Sequence, residues 1–160
     1  NGLVARLLVS QGDELAAVFG CDLEGLLVEI YGSRAAGYAE AARSYLDSGY
    51  FAEAADTFAA ALAAGDGAAG PDPSALRDFA EGMRAFEERD YARAVDRLRR
   101  WHDATGSRDP RLADLAFTAL ARVAPLVDGD RAPGLRAAAA ALADRLRPDA
   151  PRARGGAAVL

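Results

Sequence analysis

Strand-forming residues are scarce in this chain. Eight Val, three Thr and one Ile are all its β-branched residues among 160, too few to furnish a sheet core. That excludes an all-β fold and makes a large parallel sheet untenable. A single cysteine, Cys21, excludes an intrachain disulfide, and a lone thiol suits a reducing, cytoplasmic setting. A single histidine, His102, leaves no Cys/His cluster with metal-ligand spacing, so no metal and no cofactor are expected. No charge-free apolar run reaches about 18 residues, so no membrane-spanning helix is expected. Residues 1–10 carry only Arg6 and no cleavage pattern follows, unlike a secretory leader. The chain begins at Asn1 rather than Met, which reads as a trimmed piece. Lysine is absent, and all 19 basic residues are Arg. With heavy Ala and Gly usage, that is the codon signature of a GC-rich, bacterial genome.

What is abundant points one way. The chain holds 40 Ala and 19 Leu, which with Arg and Glu are strong helix formers. The fold class expected is all-α. The formal net charge is −5, without the basic footprint of a nucleic-acid binder. The charge is unevenly spread. Residues 1–80 hold 4 Arg and 12 acids, and residues 81–160 hold 15 Arg and 12 acids. Most of it reads as solvated helix faces, but an acidic end and a basic end can also steer partners or a homodimer.

Apolar residues recur at helical spacing almost throughout. Leu3, Leu7, Leu8, Leu15, Val18 and Phe19 mark a first helix over 3–19, kinked near Gly12 and closed by Gly20. Asp22 is placed to cap a helix over Leu23 to Tyr31. Further helices are expected over 34–48, 51–64, 73–88, 91–104, 110–127 and 133–147. Gly65 stands where a helix-ending glycine belongs. Asp72-Pro73 and Asp109-Pro110 repeat a cap-plus-proline start. Pro125 should bend or end its helix. The tally is about eight helices in an antiparallel array of helix pairs. Residues 1–32 read as a helical preamble, 33–147 as the paired helices, with a loop at 65–73, and 148–160 as a flexible tail.

Two segments repeat. Gly49 to Phe58 and Arg89 to Leu98 each place an aromatic residue, Ala three residues on, and a large apolar residue four further. Ala54 and Ala94 would let two helices approach closely, with bulky neighbours filling the flanks. In this pattern the chain resembles the tetratricopeptide repeat family. Tyr38, Ala41, Ala42 and Tyr45 have the spacing of that family's first helix, and Ala54, Phe58 and Ala61 that of its second. Gly82, Tyr91, Ala94 and Leu98 make a second, weaker copy. The two copies lie 40 residues apart rather than the family's 34, and a third pair has the helices without the signature. The order of preamble and repeats is also similar to chaperones of type III secretion translocators.

The resemblance implies a non-enzymatic adaptor that grips a peptide or helix of another protein in a concave groove. On that geometry Arg43, Leu46 and Asp47 of one copy, and Phe79, Met83, Phe86 and Glu87 of the next, should face the groove. Phe79, Met83 and Phe86 would be apolar anchors, with Arg43 and Asp47 fixing register. A chaperone holding a secreted client, or an oligomerisation module of a longer chain, are the alternatives. Arg89, Arg93, Arg97 and Arg100 form a stripe expected to be solvated or paired locally with Asp90 or Asp96. An enzyme would need His102 or Cys21 as its working group, and no nucleophile motif surrounds either.

Overall fold

The computed structural model describes residues 2–20, 22–67, 73–127 and 133–147. Among them are eight helices and no strand: α1 (Gly2–Phe19), α2 (Leu23–Tyr31), α3 (Arg34–Asp47), α4 (Phe51–Ala64), α5 (Pro73–Glu87), α6 (Tyr91–Thr105), α7 (Pro110–Leu126) and α8 (Pro133–Leu146). The all-α expectation holds, and the helix limits fall within a residue or two of those read from the sequence. The expected roles of Cys21, Asp72 and the tail at 148–160 lie outside the described residues, as does most of the 65–73 loop.

The start and stop signals act as their chemistry dictates. Asp22 accepts from the backbone N–H of Glu24 and Gly25, and Asp109 from that of Arg111 and Leu112. The kink in α1 falls at Gln11, with φ −126° and ψ 17°, one residue before the glycine expected to cause it. The next residue, Gly12, is instead a contact point. A Cβ there would stand 2.6 Å from Leu23 Cδ2, so its hydrogen is what lets α1 and α2 touch. Helix α7 continues past Pro125 and ends at Leu126.

The two repeated segments share a backbone as well as a pattern. Gly49 and Arg89, 40 residues apart, both adopt left-handed φ, at 79° and 63°. After each, a backbone N–H reaches five residues back: Tyr50 to the Tyr45 carbonyl at 3.0 Å, and Asp90 to the Ala85 carbonyl at 2.8 Å. Each turn brings the next helix back against the last one, so α3 packs on α4 and α5 on α6. Ala54 and Ala94 are buried where those pairs meet. At Gly82 an added Cβ would lie 2.8 Å from Leu98 Cγ and 3.2 Å from its backbone nitrogen. The small residues thus set the helix–helix distance.

One core runs from α3 to α8. Phe51, Phe79 and Trp101 form an edge-to-face chain through its centre, with centroids 6.3 and 4.9 Å apart. The third pair is joined differently from the first two. Helix α8, more than α7, leans on α6. Both α1 and α2 pack on α3, through small residues. Leu27 sits against Gly37, and Gly2 against the Glu40 carbonyl and Ser44.

Candidate functional site

The residues expected to line a groove do not form an open surface. Phe79 is fully buried, held by Phe51 of α4 and Trp101 of α6. Met83 and Leu46 are buried in the same core. Phe86 is partly buried, its ring 5.9 Å from that of Tyr91. Arg43 is half-buried and pairs with Glu40 on its own helix at 3.1 Å. Asp47 and Glu87 are exposed, and Asp47 forms an ion pair with Arg111 of α7. The expectation of exposed anchors is therefore corrected for Leu46, Phe79 and Met83. The physical reason is that α5 has neighbours on several sides, in α4, α6 and α7, so most of its circumference is interior.

The arginine stripe is corrected for Arg93 and Arg97. Arg97 reaches across to α5, 2.7 Å from Asp78 and 3.1 Å from Glu81, and Arg93 approaches Glu81 at 3.5 Å. Arg77 adds a bond to Glu81 at 3.0 Å. The Glu81 carboxylate is buried, and its Oε2 faces Arg93 and Arg97 without a hydrogen bond of good direction. Three cations around one interior carboxylate offset its desolvation and clamp α5 to α6. Arg100 pairs locally with Asp96 at 3.1 Å, and Arg89 is exposed with no ion pair among the described residues, both as expected.

His102 Nδ1 lies 2.6 Å from Ser107 Oγ. Burial holds its pKa below the ordinary value, and the Arg145 charge adds to that. Ser107 has φ 52°, in the turn that ends α6. The Ser107 hydroxyl is the partner of the His102 ring among the described residues. The contact closes the turn. Nearby, Leu76, Trp101, Ala104, Thr105, Arg108 and Leu112 line a cavity of about 280 Å³. The Thr105 hydroxyl is already committed to the Trp101 carbonyl and the Ser107 N–H. Among the described residues no cluster of His, Cys, Asp and Glu could hold a metal ion, and no helix is long and apolar enough to cross a membrane.

Among the described residues several large apolar side chains are exposed on α1 and α2. Helix α1 buries Ala5, Leu8 and Gly12 and turns Leu3, Val4 and Leu7 outward. Leu3 is 70% exposed, Leu7 49% and Val4 39%. Positions 3, 4 and 7 share one helix face. The contacts of Gly12 with Leu23 and of Ala5 with Tyr31 fix an antiparallel α1–α2 pairing. That register brings Val28 and Ile30, both exposed, to the same end of the hairpin as Leu3 and Leu7. In the sequence Leu3, Leu7 and Leu8 mark a helix without saying which of them faces inward; the structure buries Leu8 and exposes Leu3 and Leu7. The spacing of Gly2, Ala5 and Gly12 was the available signal that the small side faces inward.

Charge on this hairpin is predominantly negative. Residues 2–31 contain one Arg and five acids. Arg6 is engaged on the inner side, over the rings of Tyr45 and Tyr50 at 4.8 and 4.7 Å, and donates to Ser48 Oγ at 2.9 Å. Asp22 is occupied as a cap and Glu24 pairs with Arg34. Asp13, Glu14 and Glu29 are exposed and make no ion pair among the described residues.

Compared with known proteins, the chain matches no family model, no curated protein and no solved structure.

Proposed function

We propose that this protein is a non-enzymatic interaction module that holds a helix of another protein on the outer face of the α1–α2 hairpin. The observation that carries the reading is the exposed stripe of Leu3, Val4 and Leu7 on α1. Single exposed hydrophobic residues are ordinary, but a stripe of three on one helix face suits a protein contact. Burying one such side chain contributes about 1.5–3 kcal/mol. Leu3, Leu7 and Val4 start 70%, 49% and 39% exposed, so covering what remains contributes about 2–5 kcal/mol gross, against an association cost of about 4–15 kcal/mol. The contact is therefore reversible, and needs α2 or polar complementarity to become tight. The test is a Leu3→Glu, Leu7→Glu double variant. Both sites are exposed, so circular dichroism and urea unfolding should match wild type. Capture of the partner from the native host should be lost. A folded variant that retains the same partner at the same yield would contradict the reading.

A further inference from the structure

Resting on that docking face, we infer that its occupant is a basic amphipathic helix, with apolar anchors at helical spacing and Arg or Lys along its flanks. The chemistry of the rim selects it. Asp13, Glu14 and Glu29 stand exposed and unpaired among the described residues, while the one cation of the hairpin, Arg6, is turned inward onto Tyr45 and Tyr50. The apolar stripe thus shares its hairpin with three exposed carboxylates that have no ion-pair partner among the described residues. A basic helix neutralises them as its apolar side covers Leu3 and Leu7, and it gains in both association rate and specificity.

The same charges disfavour other occupants. An anionic bilayer attracts basic amphipathic faces and repels this acidic one. A second copy paired about a two-fold axis would set the same acidic rim against itself.

The experiment uses two designed amphipathic peptides with identical leucine spacing, one flanked by Arg and Lys, the other by Glu. Binding to the full chain is read by fluorescence anisotropy at low and at high salt. The basic peptide should bind at least about tenfold more tightly than the acidic one and weaken as salt rises. Leu7→Ala and Glu29→Lys should each weaken it by about tenfold. Glu53→Lys, at an exposed site on α4, should leave it unchanged and so control for net charge. Equal binding of the two peptides would overturn the charge selection and leave the docking face standing. Binding of neither would overturn both. Loss of binding in Glu53→Lys as large as in Glu29→Lys would show a non-specific charge effect and overturn the inference. So would preferential binding to phosphatidylserine vesicles, or self-association without peptide that Leu7→Ala abolishes.

Discussion

The ring of Phe79 meets the indole of Trp101 at 67°, with centroids 4.9 Å apart, in the interior between α5 and α6. Both side chains are almost wholly excluded from solvent. Phe79 is therefore a stability residue. Phe79→Ala should cost about 3–5 kcal/mol, seen as a lower urea midpoint. A variant as stable as wild type would place Phe79 outside the core.

Gly82→Ala offers a test in which local propensity and packing oppose each other. Within a helix, Ala is favoured over Gly by about 1 kcal/mol. Here the new Cβ would press on Leu98 Cγ at 2.8 Å and on its backbone nitrogen at 3.2 Å. Overpacking of this kind costs about 1–3 kcal/mol, so the net change should be a loss. A gain in melting temperature would mean that α5 and α6 are farther apart than described.

Arg89 carries a left-handed backbone at a turn position where the matching residue of the first copy is Gly49. A non-glycine residue in that region costs about 1–2 kcal/mol. Arg89 has no ion pair among the described residues, so little else is lost on replacing it. Arg89→Gly should raise stability by up to about 1 kcal/mol, measured by urea unfolding.

Asp66 ties the end of α4 to the start of α3. Its carboxylate accepts from the N–H of Ala35 and of Arg34, each at 3.0 Å, and from Arg34 Nε at 3.1 Å. The Ala35 N–H is the largest cause holding its pKa down, with the Arg34 groups adding, and the value falls to about 2. A depressed folded-state pKa means the contribution is fully present above the unfolded value near 3.8 and fades as pH falls towards 2. Asp66→Asn should therefore reduce stability at pH 7 and flatten its decline between about pH 4 and pH 2. An unchanged acid profile would contradict the bond set.

Much of the fold was legible because helix limits are written in local chemistry. Asp22, Gly65 and Asp109 mark ends through caps and left-handed turns that depend on a few neighbouring residues. The site was less legible because it depends on how many neighbours each helix acquires. Periodicity along α5 identifies apolar residues, but it does not say that α4, α6 and α7 all pack around them, and so it set Phe79 and Met83 on a surface. On α1 the apolar spacing of Leu3, Leu7 and Leu8 marks a helix but not its inward side, which Gly2, Ala5, Leu8 and Gly12 occupy. Arg97 was read against acids on its own helix, whereas Asp78 and Glu81, its actual partners, lie one helix earlier.

The central claim is that partners dock on the outer face of the first two helices and not along α3 and α5. Amide hydrogen exchange of the full chain, with and without the basic amphipathic peptide, tests it most directly. The account predicts new protection confined to residues 2–31, with exchange in 34–47 and 73–87 unchanged. Protection gained in 73–87 while 2–31 stays as in the free protein would contradict it.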